Sequence, residues 1–425
     1  MARKFKPGLE QAKALDRSDP LAKHRRAFLI PRQGSRPVSY LCGHSLGLMP
    51  RRARHELEQE LARWCERGVE GHFDGGRGWL DYHQRFSRPL ADLLGARPEE
   101  VVAMNSLTVN LHLMLVSFFK PEGRRRKLLI ERDAFPSDRY AVQSQLGFHG
   151  LDVAKNLLEF GPVDDSARLS LAAFEALLAT EGERIALVLL PGVQFLTGQR
   201  LDLAAYTELA HRYGCRVGFD LAHAVGNVPL ELHQAGPDFA VWCSYKYLNG
   251  GPGAVAGCFV HARWAEASDL PRFAGWWGHE PSTRFAMPQD FVPISGAQGW
   301  QLSNPAIFSL APLAAALKVF DAAGMRALRR KSERLTGYLE FLLEHELGDA
   351  VRLLTPREPR ERGCQISIRF ARSTAWQSLA TELRSRAVVA DWRPPDVLRL
   401  APVPLYNRFE DVYRAVRALR DSLER

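Results

Sequence analysis

The chain has no cysteine pair at C-x-x-C spacing. Its six cysteines, Cys42, Cys65, Cys215, Cys243, Cys258 and Cys364, are dispersed over 425 residues. That dispersal reads as mostly buried thiols in a reducing compartment, not as a disulfide framework or a zinc site. No apolar run approaches the ~18 residues of a membrane span. The opening "MARKFKPGLE" is basic but has no apolar stretch behind it, so a secretory signal is not expected there. A cytoplasmic protein with no membrane partner is expected. Internal repeats and low-complexity linkers are also missing. The densest basic runs, "GRRRK" at 123–127 and the arginines between Arg357 and Arg362, are short and lack interleaved aromatics. Nucleic acid is therefore not an expected partner. The formal net charge of +9 is scattered along the chain. It reads as general solubility, with attraction of anionic ligands as the sharper alternative.

What is present is an ordinary globular composition, 46% hydrophobic and 25% charged, enough to bury a core. The length allows one large domain and a smaller one. Residues 1–50 look irregular apart from a strand-like "VSYLC". Pro50 opens a helix whose Leu57, Leu61 and Trp64 share one face. "EGHFDGGRGW" (70–79) is too rich in glycine for a regular element. "VVAMNSLTVNLHLMLVSFFKP" begins as a strand, turns at Asn105 and Ser106, and continues as an apolar helix that Pro121 ends. Strands and helices then alternate: "KLLIE", "PSDRYAVQSQLGFHG", "SLAAFEALLAT", "IALVLLPG", "LAAYTELAHRYG" and "RVGFD". Such alternation predicts an α/β fold with a mostly parallel central sheet. Beyond residue 308 long helices precede short strands, "QISIRF" and "VLRLAPV", and a last helix, "FEDVYRAVRALRDSLE". The expected organisation is an N-terminal segment at 1–50, a large α/β domain at 51–308 and a smaller α+β domain at 309–425.

One constellation carries chemistry. Asp220 ends the strand "RVGFD", and His223 follows three residues later. In open α/β sheets, ligands sit at the carboxyl ends of strands. Lys246, in "WCSYKYLNGG", lies 26 residues beyond Asp220. A strand-end aspartate followed by such a lysine suggests pyridoxal 5'-phosphate. The lysine forms a Schiff base with the aldehyde, and the aspartate keeps the pyridine nitrogen protonated, which makes the ring an electron sink. The plainer alternative is a loop-capping aspartate and a solvated lysine. Ser106 and Thr108 open a helix, where free N–H groups favour a phosphate; an ordinary N-cap would look the same. Phe135 follows a strand and could stack on a pyridine ring or simply fill the core. Arg399 lies on an apolar strand, where a lone arginine is costly without an anionic partner. An amino-acid carboxylate would be such a partner. Each signal is weak alone, and together they agree.

Several blocks go further: "CGHSLGLMP", "MNSLTVNLHLMLVSFFKP", "GVQFLTGQ", "DLAHAVGN", "DFAVWCSYKYLNGGPG", "GWWGHEPSTRFAM", "LSNP" and "RLAPVPLYN". Together, in this order, they resemble the kynureninase family, pyridoxal-phosphate hydrolases of the aspartate-aminotransferase fold, type I. The resemblance implies cleavage of L-kynurenine or 3-hydroxy-L-kynurenine to anthranilate or 3-hydroxyanthranilate plus L-alanine. That reaction serves tryptophan degradation and the synthesis of pyridine nucleotides. It also implies roles. Lys246 would be the Schiff-base lysine, and Tyr245 would contact the cofactor phosphate and deliver a proton. Asp220 would pair with the pyridinium, His223 would lie beside the ring and Phe135 would stack on it. Leu107, Thr108 and Asp138 would complete the near side of the pocket. Trp276 and Asn304 would reach the site from the second subunit of a homodimer. His72 and Asn304 would touch the aromatic end of the substrate, and Arg399 would bind its α-carboxylate. No metal is implied.

Two positions depart from the family pattern. His44 stands where many members carry asparagine in "GNSLG", near the substrate, and so bears on the preference for ring substituents. Pro191 stands where some members carry a serine beside the cofactor, so that hydroxyl contact is missing. Competing readings are a class V aminotransferase, a cysteine desulfurase with Cys364 as its one candidate thiol, an enzyme of modified kynurenines, and a non-catalytic scaffold.

Overall fold

The computed structural model describes residues 5–162, 167–267, 269–371 and 376–424. The basic start, Met1 to Lys4, lies outside them. Seven strands build the main sheet: β1 (Val101–Ala103), β2 (Lys127–Glu131), β3 (Leu157–Phe160), β4 (Ile185–Pro191), β5 (Arg216–Asp220), β6 (Phe239–Trp242) and β7 (Gly257–Val260). Their spatial order is β1-β7-β6-β5-β4-β2-β3. Strands β3, β2, β4, β5 and β6 run parallel to their neighbours. Only β7 is reversed, pairing antiparallel with both β6 and β1. The mostly parallel sheet expected from the alternating pattern is therefore present. The strand β7 follows a glycine-rich stretch and was not read from the sequence.

The sheet is buried on both faces, which is why its strands are continuously apolar rather than alternating. Leu129, Val188, Val217 and Phe219 point to one face. There they meet Phe174 and Leu178 of a helix at Leu171–Glu181 and Tyr206 and Leu209 of a helix at Leu203–Arg212. Leu128, Ile130, Leu187 and Leu189 point to the other face. They pack on two helices labelled here α1 (Leu107–Phe118) and α2 (Pro136–Phe148), through Leu111, Met114 and Phe118 and through Val142 and Leu146. Three layers result, helix on sheet on helix.

A second sheet, all antiparallel, is made of β8 (Val351–Leu353), β9 (Ile366–Phe370), β10 (Asp391–Arg393) and β11 (Val397–Leu400), in the order β8-β9-β11-β10. The helices Met325–Leu347 and Phe409–Leu423 cover it around Leu335, Leu339, Leu342, Val412 and Val416. The N-terminal segment is fastened to this part. Ser39–Tyr40 pairs in parallel with Val388–Val389, and both carboxylate oxygens of Asp16 accept the N–H groups of Phe409 and Glu410 at 2.7 and 3.1 Å. They satisfy donors that open the last helix, a capping role served from a distant part of the chain. Among the described residues no single helix is long and apolar enough to cross a membrane. A bent pair, Ile307–Ala323 and Met325–Ala350, reaches the length and composition at an angle of 82°, but its Leu310, Leu313, Leu335 and Leu339 are wholly buried in the cores.

Candidate active site

The carboxyl edge of the parallel strands gathers the chemistry. Glu131 ends β2, Pro191 ends β4 and Asp220 ends β5; Pro191 and Asp220 are direct neighbours across the two strands. Lys246 lies on a tight turn just past β6. Its carbonyl accepts from Asn249 N at 3.0 Å, the Ser244 carbonyl accepts from Gly250 N at 2.8 Å, and Asn249 takes φ of 57°. The "CGHSLGLMP" loop braces this turn from outside: Gly47 N donates to the Tyr245 carbonyl at 2.8 Å. A Cβ at Gly47 would stand 2.3 Å from the Lys246 carbonyl oxygen and 2.8 Å from Asn249 Cα. Only glycine allows two backbones so close.

Of the residues expected at the site, Leu107, Thr108, Phe135, Asp138, Asp220, His223, Tyr245 and Lys246 line one pocket. Lys246 Nζ lies 5.7 Å from the centre of the Phe135 ring and 6.0 Å from that of Tyr245. Phe135 is held edge-on against Phe195, 5.4 Å away. Leu107 and Thr108 form the first turn of α1. Ser106, the residue before it, makes no side-chain capping bond, so the first N–H groups keep no protein side chain, and they carry the positive end of the helix dipole. Thr108 Oγ1 and Ser137 Oγ are 2.7 Å apart beside them. Pro191 lines the same pocket and brings no hydroxyl.

The electrostatics of the pocket are unusual. Asp138 and Asp220 stand carboxyl to carboxyl, and Asp220 also accepts from Ala222 N at 2.7 Å. Burial, reinforced by Asp220, pushes the Asp138 carboxyl well above the usual range. Burial raises the Glu131 carboxyl to about 8. Burial, with Lys246 and Arg399 adding to it, pushes His223 well below its ordinary value, so its imidazole is neutral. Burial raises the Tyr245 phenol, which keeps its proton. Two enclosed polar atoms, Asp138 Oδ1 and His223 Nδ1, have no hydrogen-bond partner among the described residues. Both belong to residues that line a pocket which also holds an amine, a ring to stack on and a helix end open to a phosphate. Those residues fit pyridoxal 5'-phosphate.

Arg399 lies behind the pocket wall. It is 1% exposed, and its Nη1 donates to the carbonyl of pocket-lining Phe195 at 2.7 Å. The anionic partner a buried arginine requires is supplied by the chain itself: Arg399 Nε donates to Asp391 Oδ2 at 2.7 Å. Sequence reading missed Asp391, Glu131 and Phe195. His72, Trp276 and Asn304 are not brought to this pocket within the chain. Trp276 is 46% exposed and donates from Nε1 to the Arg284 carbonyl at 3.3 Å. Asn304 is exposed, and His72 is half-buried, edge-on to Trp79 at 5.2 Å. Cys364 is wholly buried, its thiol raised to about 12 by that burial. It is not the accessible, acidic thiol on a flexible loop that sulfur transfer needs.

Comparisons with known proteins bear on the fold and the family. Residues 328–419 match the family model described as the kynureninase C-terminal domain. A kynureninase of Xanthomonas oryzae pv. oryzae is 56% identical over 406 residues, which cover 95% of this chain and 96% of that one. A kynureninase of Xanthomonas axonopodis pv. citri is 54% identical over the same coverage. Among solved structures, the cysteine desulfurase CsdA of Escherichia coli superimposes with a TM-score of 0.76 at 18% identity, covering 95% of this chain and 98% of that one. A C-DES variant with glycine covalently linked to its PLP cofactor gives 0.74 at 19% identity, covering 90% and 96%. These structural likenesses fix the fold as that of the type I pyridoxal-phosphate enzymes, while the sequence relatives fix the branch within it: the chain belongs to the kynureninase family.

Proposed function

We propose that this chain hydrolyses the bond between the β-carbon and the carbonyl of L-kynurenine or 3-hydroxy-L-kynurenine, releasing L-alanine and anthranilate or 3-hydroxyanthranilate. The observation that carries the reading is the convergence of Lys246, Asp220 and Tyr245 on one pocket, with Arg399 behind its wall. Pyridoxal phosphate supplies, when bound, an aldehyde for the amine and a sink for the electrons left by a broken bond at carbon. The chain supplies the rest. Lys246 Nζ is the amine that holds the cofactor and the base that moves the α-proton. Asp220 would face the ring nitrogen, Phe135 would stack on the ring, and neutral His223 would lie beside it. The first N–H groups of α1, at Leu107 and Thr108, and the Tyr245 hydroxyl would hold the phosphate, and Asp138 would complete that side. Tyr245 Oη, kept protonated by burial, donates its proton to the β-carbon. Arg399 takes the α-carboxylate.

The remaining assignments rest on the family. His72 and Asn304 would meet the aromatic end of the substrate. Trp276 and Asn304, exposed on the single chain, would enter the site of a second copy in a homodimer. A cytoplasmic location fits the dispersed free thiols. The test is Lys246→Ala, which should abolish turnover of kynurenine and the visible absorption band of a lysine-bound cofactor. A variant that keeps either would overturn the assignment.

A further inference from the structure

Arg399 and Asp391 are direct partners across β11 and β10, and Ser367 of β9 faces Arg399 from the opposite side. Cross-strand neighbours stand with their Cβ atoms roughly 5 Å apart, so this pair is fixed by the backbone. The contacts are specific. Arg399 Nε and Nη2 both meet Asp391 Oδ2, at 2.7 and 2.5 Å, and Nη1 meets the Phe195 carbonyl at 2.7 Å. A guanidinium has five N–H groups in a planar fork. Those three bonds leave one N–H on each terminal nitrogen, the number a carboxylate takes in a two-point grip.

Asp391 is itself pinned. Arg393 Nε donates to Oδ2 at 3.0 Å, and Ser45 Oγ to Oδ1 at 3.4 Å. His44 Nε2 stands 3.7 Å from Oδ2, just beyond hydrogen-bond length. The His44 imidazole is 1% exposed, neither ring nitrogen has a hydrogen-bond partner, and its ring lies 6.3 Å from that of His223. Burial, with Arg399 adding to it, lowers His44 to about 4, so it carries no charge at neutral pH. Two arginines and one aspartate leave the cluster with an excess of one positive charge, which a single carboxylate cancels. His44, one of the two departures from the family pattern, thus lies on the carboxylate side of the site.

We propose that Asp391 is a positioning residue for carboxylate capture: it stays on the Nε edge of Arg399 while the two remaining N–H groups take the α-carboxylate of the substrate, and His44 separates it from the cofactor pocket. The alternative, that Asp391 occupies the carboxylate position and is displaced, conflicts with its cross-strand register and its bonds to Arg393 and Ser45. The proposal rests on the reading of Arg399 as the carboxylate-binding residue.

The experiment uses holoenzyme. It measures kcat and KM for kynurenine, and inhibition by L-alanine and by L-alaninamide, which lacks the carboxylate. Loss of a charge-assisted bond to the guanidinium is worth about a factor of ten or more in affinity. Asp391→Asn should raise KM and the alanine inhibition constant about tenfold, with kcat within about threefold and alaninamide unaffected. Asp391→Glu, which keeps the charge, should recover most of the loss. An unchanged or lower KM in Asp391→Asn would make Asp391 a competitor and overturn the proposal. Equal weakening of alanine and alaninamide, or a Glu variant no better than Asn, would reduce Asp391 to a structural role. If Arg399→Gln weakens alanine and alaninamide equally, the carboxylate reading itself falls, a different failure.

Discussion

Replacing Glu131 with glutamine should stabilise the cofactor-free protein, and only above a definite pH. Glu131 ends β2 at 5% exposure, in the pocket wall beside Asp220 and Asp138. Its neighbour Gln194 accepts from Leu196 N, Thr197 N and Thr197 Oγ1 through its own oxygen, which leaves its amide to donate to Glu131. Burial raises the carboxyl from 4.5 to about 8, and Asp220 and Asp133 add negative charge nearby. In the folded chain the group is neutral below pH 8; in the unfolded chain it ionises above 4.5. Between those limits the folded state binds the extra proton, so stability falls as pH rises. At pH 7 the span is about 2.5 units at ~1.36 kcal/mol each, or about 3 kcal/mol. Glutamine ionises in neither state and keeps the shape. Unfolding free energies of both proteins from urea titrations, measured from about pH 4 to about pH 8, should coincide at the acid end and diverge by about 3 kcal/mol near neutrality. A difference that does not change with pH, or a glutamine variant less stable at neutral pH, would refute the reasoning.

Two further outcomes follow from the site. Tyr245→Phe keeps the ring and removes the proton, so kcat should fall by roughly 100- to 10,000-fold with KM little changed; steady-state kinetics with wild-type turnover would exclude Tyr245 as the donor. Gly47→Ala forces a methyl group to within 2.3 Å of the Lys246 carbonyl. Overpacking of that kind costs about 1–3 kcal/mol, and the displaced lysine should lower kcat by up to about 100-fold. Thermal unfolding and kcat together check it, and an unperturbed variant would mean the two loops are not in contact.

The legible parts of this chain are those whose signal is local. "KLLIE" and "RVGFD" are bounded by the same residues in the sequence reading and in the structure, because buried parallel strands show as unbroken apolar runs. The meeting of Asp220 and Lys246 in one pocket was legible for a related reason: a strand-end carboxylate and a lysine amid aromatics are out of place unless a ligand explains them. Asp391 carried no such mark. It opens a three-residue strand before two prolines, and its meaning depends on a hairpin that places it opposite Arg399. Glu131 closes the strand "KLLIE", and nothing local in the sequence places its carboxyl in the pocket with Asp220 and Asp138. The reversed strand β7 was missed because alternation of strands and helices predicts parallel neighbours and cannot announce an exception. His72, Trp276 and Asn304 had only the family resemblance to single them out, since the single chain does not bring them to the pocket.

The most direct test is product analysis. Holoenzyme with added pyridoxal phosphate is given kynurenine and 3-hydroxykynurenine at matched concentrations, and alanine and the aromatic acid are both counted. The account predicts equal amounts of alanine and of anthranilate or 3-hydroxyanthranilate from at least one substrate. A coloured holoenzyme that releases neither product, or alanine without its aromatic partner, would contradict it.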